Sequence, residues 1–389
     1  MYKVSKELIP INRRFAKEYN LAKALNDLGN PQLTIPTINV VGTNGKGSVA
    51  SGLAKGLEQK YKRVGLFISP AFLYHNERIQ INGDFIDDEE LTNLINSSKP
   101  LIDKYNLTFF EIWTLIMIRY FAHKKVDIAV IEAGIGGLKD ATKVMTNQQL
   151  VLLTAVDYDH LNVLGSTIEE IMVQKIGIAY SGTTIIASAD NRNRSDLIEK
   201  MVRKNNLKLI WASERDDQVH YQKANKGLIL CALEWLGCAN SDSLTFQWPK
   251  GRFTILQRKP LWVLDGAHNP NGISQLIKTI EKTMHNPLIL YAASAEKEYE
   301  QIVNLLEKTF HKENVFLTSF DHLKAWDINL VNQTNSHQIV DWKEFLLVHN
   351  QSEREIIICG SLYFVPQVYE WFITNSKNKK QEDYDLLLN

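Results

Sequence analysis

The chain has 389 residues, more than one hydrophobic core usually supports, so two domains are expected. Lysine plus arginine equals aspartate plus glutamate at 44 each, which gives no polyanion-binding surface and argues against nucleic acid as a partner. No apolar run reaches membrane-spanning length, and Met1 to Arg14 mixes charges with isolated apolar residues, so no membrane partner and a cytoplasmic location are expected. The even charge makes a monomer the default. Cys231, Cys238 and Cys359 are an odd set in a long chain and argue against a disulfide framework.

In chain order, strand-like apolar runs at Thr37 to Val41, Val64 to Ile68, Ile128 to Ile131, Val151 to Val156 and Thr183 to Ala187 alternate with helical patterns. Such alternation predicts an α/β fold, a mostly parallel sheet with helices on both faces. A helical run from Asn225 to Leu236 is followed by a break at Asn240 to Lys250, which places a boundary between domains 1–245 and 246–389. Alternation then resumes with Leu261 to Leu264, a helix from about Asn271, Leu288 to Ala292, a helix from about Lys297, Val315 to Thr318 and Glu355 to Cys359. This smaller second domain reads as a Rossmann-like α/β unit. Asn375 to Asp385, rich in Lys, Asn and Glu, is expected to fray.

The first strand runs into Gly42-Thr43-Asn44-Gly45-Lys46-Gly47-Ser48. The glycines let the backbone turn and approach a ligand closely. Lys46 and Ser48 supply the cation and the hydroxyl that a nucleotide phosphate and its Mg²⁺ require, and a helix expected over Val49 to Lys60 would aim its N–H groups at that anion. Two residues separate the outer glycines where the usual P-loop has four, which points to a subgroup.

Further along, Glu132 closes a strand just before the glycine-rich turn Gly134-Ile135-Gly136-Gly137, where open α/β sheets bind ligands. It is a candidate Mg²⁺ ligand, with a solvated strand-end glutamate as the plain alternative. Asp159-His160 ends the next strand, and the helix after it carries Lys175. A neutral imidazole can ligate a metal, and a lysine near phosphates can act as a clamp or, once carbamylated, as an anion. In the second domain, Asp265-Gly266-Ala267-His268-Asn269-Pro270 closes the first strand and suggests another ligand-facing loop; Arg252 could bring a guanidinium to the phosphates.

Taken together, Gly42 to Ser48, Ser69-Pro70, Asn76 to Ile79, Glu132 to Thr142, Asp159-His160, Gly251-Arg252, Asp265 to Pro270 and Gly360 to Tyr363 resemble the folylpolyglutamate synthase/dihydrofolate synthase family of the wider Mur ligase group. The resemblance covers nearly the whole chain in order. It implies an N-terminal P-loop ATPase domain, a Rossmann-like C-terminal domain, and an ATP-dependent amide ligase whose small-molecule partners are ATP, L-glutamate and a folate or dihydropteroate. It also implies two Mg²⁺ ions. Lys46 and Ser48 would hold the ATP phosphates and one ion; Ser69, Glu132 and His160 match further metal ligands; and Lys175 matches a carbamylated lysine. Arg252, Asp265, His268 and Asn269 match the C-terminal part of the nucleotide site, and Gln222 and Asn225 resemble residues near the adenine and the domain junction. Arg78, Phe110 and Glu111 resemble acceptor-site positions, although an intrachain ion pair is equally open for Arg78 and two phenylalanines opening a helix are more often core. Where the family commonly has Ser-Pro-His-Leu, this chain has Ser69-Pro70-Ala71-Phe72; it also carries Leu138, Lys143 and Gln174 in place of the family's Arg, Asn and Glu. A folylpolyglutamate synthase is expected. A dihydrofolate synthase, a Mur-type ligase with another acceptor and a non-catalytic nucleotide-binding homologue are the alternatives.

Overall fold

The computed structural model describes residues 1–4, 6–9, 19–238, 244–295, 299–328, 337–350 and 352–376. Residues 1–217 and 222–249 form one compact unit, and 218–221 with the chain from 250 onward form a second. Part of the expected linker (240–243), the expected start of the helix at Lys297 and the tail from 377 lie outside the described residues.

The strands of the first unit are β1 (Thr37–Val41), β2 (Val64–Phe67), β3 (Ile79–Ile81), β4 (Asp84–Phe85), β5 (Ile128–Glu132), β6 (Gln148–Leu153), β7 (Thr184–Ala187) and β8 (Lys208–Trp211). Among the described residues they form one eight-stranded sheet in the order β4-β3-β2-β5-β1-β6-β7-β8. All neighbours pair in parallel except the edge hairpin of β3 and β4 and its junction with β2. That hairpin turns over Asn82-Gly83, both at positive φ, the dipeptide that favours a tight two-residue turn. β1, β2 and β5 are buried along their whole length, which is why they read as unbroken apolar runs.

Helices cover both faces of this sheet. Ile128 and Val130 of β5 pack with helices Lys46–Leu57 and Gln222–Trp235, while Ala129 and Ile131, pointing the other way, pack with helix Phe109–Lys124. The first two helices run in parallel and very close. A Cβ on Gly52 would lie 2.6 Å from Ile229, and one on Gly56 would lie 2.5 Å from Leu233. Their N-terminal ends therefore share one end of the sheet, the carboxyl edge of β1.

In the second unit, β9 (Thr254–Arg258), β10 (Leu261–Asp265), β11 (Leu288–Ala292), β12 (Val315–Leu317), β13 (Gln338–Ile339) and β14 (Ile356–Gly360) form a sheet in the order β13-β12-β11-β14-β10-β9. Only β9 runs antiparallel to its neighbour. Helix Pro270–Thr283 follows β10, and helix Tyr299–Phe310 follows β11. Both units are thus α/β, with mostly parallel sheets. β6 differs from the expected Val151 to Val156: it begins at the polar pair Gln148-Gln149, where Gln148 donates to Asn39 of β1 and accepts from the Tyr180 N–H. Among the described residues no helix is long and apolar enough to cross a membrane.

Gly227 shows how tightly helix Gln222–Trp235 is seated. A Cβ there would lie 1.8 Å from the Ser213 carbonyl oxygen, a backbone atom that cannot swing aside. Alanine is the better helix former by ~1 kcal/mol. Overpacking against fixed backbone costs about 1–3 kcal/mol or more and decides the sign. Gly227→Ala is expected to lower the thermal unfolding midpoint, and an unchanged or raised midpoint would show that this contact yields.

Candidate active site

β1 ends at Val41 in the middle of the sheet, flanked by the ends of β5 and β6. The chain cannot leave this crowded edge with a side chain at 42: a Cβ on Gly42 would lie 1.9 Å from Thr154 Oγ1. Gly45 sits at φ +88, at the cap of helix Lys46–Leu57, where a side chain would be strained. Between them the loop is tied to the segment after β6. The Thr43 N–H donates to the Ala155 carbonyl (2.7 Å), while Thr43 Oγ1 donates to the Asp157 carbonyl and accepts from the Asp157 N–H. The result is a rigid turn followed at once by a helix N-terminus, the geometry that binds phosphate oxygens.

Two lysines converge on this turn. Lys175, buried at 2% exposure, donates from Nζ to the Gly42 carbonyl at 2.6 Å. Lys46 Nζ reaches the Gly42 and Thr43 carbonyls at 3.3 and 3.2 Å. Burial, and then the neighbouring Lys46 charge, hold the Lys175 ammonium well below its ordinary pKa. The Gly42 carbonyl, Lys46, Lys175, Gly134, Asp159 and His160 line one cleft. His160 stands half-exposed at φ +52, its Nε2 3.8 Å from Asp159 Oδ2.

On the other side of the loop lie Ser48, Glu132 and Ser69. A Cβ on Gly47 would be 3.5 Å from Glu132 Oε2, which accepts from the Ser69 N–H at 2.9 Å. Glu132 and Ser48 are both nearly fully buried. A buried carboxylate and a hydroxyl beside a phosphate loop are hard-oxygen donors that suit Mg²⁺. Among the described residues, no group of three His, Cys, Asp or Glu could hold a metal alone, so a cation here would depend on hydroxyl, water and phosphate oxygens. Gln222, fully buried, donates to Ser48 Oγ (3.2 Å), and Asn225 donates to Gln222 Oε1 (2.8 Å). The structure thus puts this pair against the phosphate loop.

The acceptor candidates receive mixed positions. Glu111, 1% exposed, spends both carboxylate oxygens on the fold: Oε1 accepts from the Asn20 and Leu21 N–H groups, and Oε2 from the Thr108 N–H and hydroxyl. It is a helix-capping residue, and its carboxylate is filled by these donors. Arg78 is likewise buried, its guanidinium stacked over Phe109 and Trp113. Phe110 does stand at the glycine turn, since a Cβ on Gly134 would lie 2.6 Å from its ring. Ala71 is buried and Phe72 half-buried in a loop closed by Glu77, which accepts the N–H groups of Phe72, Leu73 and Tyr74. Lys143 points away from the cleft and donates to the Gly177 carbonyl at the end of helix Ile168–Ile176. Sequence reasoning missed Thr154 and Trp113, which act through packing that leaves no motif, and held Glu77 only as part of the Asn76 to Ile79 block, without its role in closing the loop.

Asp265 ends β10 and His268 and Asn269 follow it in the loop, while Arg252 precedes β9 and reaches that loop from there, its Nη1 2.8 Å from where a Gly266 Cβ would stand. Asp265, 2% exposed, accepts from Tyr221 Oη and the Phe253 and Ala267 N–H groups; burial raises its pKa against these donors and Arg252. Asn269 caps helix Pro270–Thr283 by accepting from the Gly272 N–H, and His268 Nδ1 pairs with the Gly266 carbonyl. Arg252 Nη1 donates to the Gly251 carbonyl at 3.1 Å. Asp265 and Asn269 therefore shape the loop that carries His268, and Asp265 also ties down Phe253, the neighbour of Arg252.

A short phosphate loop at the centre of a parallel sheet, in a chain with a second α/β unit, defines a Mur-type ligase architecture, and residues 40–229 match the Mur ligase middle domain. The chain is 30% identical to the dihydrofolate synthase/folylpolyglutamate synthase of Bacillus subtilis, with 88% of this chain and 91% of that protein covered. The apo form of Lacticaseibacillus casei folylpolyglutamate synthase superposes with a TM-score of 0.77 at 26% identity, covering 92% and 96% of the two chains. A folylpolyglutamate synthase complex with AMPPCP and folate gives 0.76 at 27% identity, with the same coverage. The chain belongs to the folylpolyglutamate synthase/dihydrofolate synthase family.

The Lys175 environment gives a pH signature. A lysine whose folded-state pKa lies well below 10.5 is protonated in the unfolded chain but not in the fold, so stability rises with pH up to the ordinary lysine value. In CO₂-free buffer, the stability of the wild type relative to Lys175→Met is expected to increase between neutral pH and pH ~10. A flat difference in denaturant titrations would mean that Lys175 keeps its ordinary pKa.

Proposed function

We propose that the chain joins L-glutamate to a folate, converting ATP to ADP and phosphate. The observation that carries this reading is the convergence of loop amides, Lys46 and Lys175 on one side, and Ser48 with Glu132 on the other, around a single helix N-terminus. In this reading a carboxylate oxygen of the folate attacks the γ-phosphorus. The bond to the bridging oxygen breaks, ADP leaves, and an acyl phosphate forms. The glutamate amine then attacks the acyl carbon, phosphate departs with the C–O electron pair, and the nitrogen loses a proton. Lys46 and the loop N–H groups would hold the phosphate oxygens in place, since phosphoryl transfer asks mostly for positioning and charge neutralisation. Ser48, Ser69, Glu132 and His160 are the residues proposed to hold two Mg²⁺ ions, which when bound would neutralise phosphate charge. Gly42 to Ser48, Arg252 and His268 are the proposed nucleotide contacts, with Phe110, Ala71 and Phe72 on the acceptor side. A monomer acting in the cytoplasm fits this reading.

Lys175 is proposed as a carbamylated residue. Its depressed pKa favours the neutral amine, the form that adds CO₂ with loss of a proton, and the resulting carbamate anion would turn repulsion from Lys46 into attraction. With ¹³C-bicarbonate the wild type should show a protein carbamate signal by NMR that Lys175→Met lacks; an identical spectrum for the two would remove the assignment.

Dihydropteroate is the second acceptor reading, favoured by the two activities named for the Bacillus subtilis relative. ATP turnover with L-glutamate should be measured against dihydropteroate, reduced folate monoglutamates and cell-wall precursors. Turnover with a folate is expected, and Lys46→Ala should reduce it at least ~100-fold, in line with the loss of a charge-stabilising donor. Turnover with a cell-wall precursor alone would sink the folate reading.

A further inference from the structure

Gln222 and Asn225 open helix Gln222–Trp235, and the sequence offers them as contacts near an adenine. Their side chains also meet each other and the loop. Gln222 is fully buried and Asn225 is 4% exposed. Both ends of the Gln222 amide are engaged inside the first unit: Nε2 donates to Ser48 Oγ at 3.2 Å, and Oε1 accepts from Asn225 Nδ2 at 2.8 Å. Asn225 Oδ1 in turn faces the phosphate loop, 2.4 Å from where a Gly45 Cβ would stand. The parallel packing at Gly52 and Gly56 holds the two helices, and so the two amides, in fixed register with the loop.

We propose that Gln222 and Asn225 are positioning residues that set the Ser48 hydroxyl and the Gly45 turn for a metal-bound nucleotide. The proposal rests on the reading of the first unit as an ATP and Mg²⁺ site. A serine hydroxyl has one hydrogen and two lone pairs, and it can rotate among three staggered wells. A donated hydrogen bond from Gln222 occupies one lone pair and selects a well, so the oxygen keeps its second lone pair for a cation. Asn225 fixes which way the Gln222 amide faces. Without Asn225 the amide could turn its oxygen to Ser48, and the direction of the Ser48 hydrogen bond would reverse. Gly45 is required at its position by φ and also by Asn225, which fills the space a side chain would need.

The test is calorimetric binding of ADP to the full chain, in Mg²⁺ and in EDTA, with thermal unfolding of each variant as a check on folding. Gln222→Met keeps the volume and removes both hydrogen bonds. Its affinity for ADP in Mg²⁺ should fall about tenfold while that in EDTA stays within about twofold, the range known for outer hydrogen-bond partners of metal ligands. Gln222→Glu still accepts from Asn225 but has no hydrogen to give Ser48, so it reverses that hydrogen bond and should not recover the Mg²⁺-dependent affinity; full recovery would show that the direction of the bond is immaterial and overturn the relay. Should Gln222→Met fail to fold, Asn225→Ser tests the same relay and should show the same selective loss. Equal weakening in Mg²⁺ and EDTA would identify Gln222 as a contact to the nucleotide itself and overturn the proposal. Full retention of Mg²⁺-dependent binding would overturn it as well. A wild-type chain that binds ADP no better in Mg²⁺ than in EDTA would instead overturn the metal reading of the site, and the relay with it.

Discussion

The carbonyl oxygen of Gly42 takes hydrogen bonds from two lysine amines, and the chemistry of the first unit depends on that convergence. A single carbonyl cannot neutralise two ammonium groups, and one of them is buried. The fold therefore carries an electrostatic deficit at the end of β1. Part of it is relieved by burial itself, which lowers the Lys175 pKa and so weakens the hold on its proton. The rest is relieved by any anion that settles over the helix N-terminus, where the loop N–H groups already point. An anion site of this kind is built by the backbone: Gly42 can approach Thr154 only because it has no side chain, and that approach brings its carbonyl to Lys175.

The same economy explains which parts of the molecule were legible in the sequence. β1, β2 and β5 are buried on both faces, so each had to be an apolar run, and each was readable as one. β4, β8 and β9 are short or half-exposed edge strands whose residues mix polar and apolar, and nothing in their composition separated them from loops. The hairpin of β3 and β4 is the exception in principle, because Asn82-Gly83 is a tight-turn signal. Strand-end chemistry was legible for a similar reason: Gly42 to Ser48, Glu132, His160 and Asp265 all follow buried runs, and polar or glycine residues there have few structural reasons to exist. Lys175 was singled out by its place on the helix after Asp159-His160, but its contact with Gly42 spans 133 residues of chain and was not legible.

Resemblance also carried residues that the structure redirects. Glu111 and Arg78 look like ligand groups when read as letters, yet one caps a helix through both carboxylate oxygens and the other holds its guanidinium carbon over two aromatic rings, 5.8 Å from the Phe109 and 5.3 Å from the Trp113 ring centre. A charged residue followed or preceded by phenylalanines is ambiguous in one dimension; only the direction of the side chain decides. Lys143 is a parallel case. It departs from the family's asparagine, but its amine goes to the C-terminal carbonyls of helix Ile168–Ile176, the helix that carries Lys175. A cation at that end also complements the helix dipole. This departure is thereby accounted for by local structure and gives no reason to change the acceptor.

The departure at Ser69 to Phe72 is of another kind. Ala71 is buried, so an imidazole in its place would be buried as well and would need a hydrogen-bond partner there. The loop instead keeps its shape through Glu77, whose carboxylate gathers three consecutive N–H groups from Phe72 to Tyr74. Such a carboxylate closure is independent of what occupies position 71. The loop can therefore keep the Ser69 N–H on Glu132 at one end while the side chain at 72 changes character at the other. The Ser69 contact with Glu132 and the side chain at position 72 are in this way separable within one short segment. The loop therefore accepts a half-buried aromatic ring at Phe72, where the family commonly has leucine, without disturbing the Ser69 end, because what holds it is backbone N–H groups on one carboxylate.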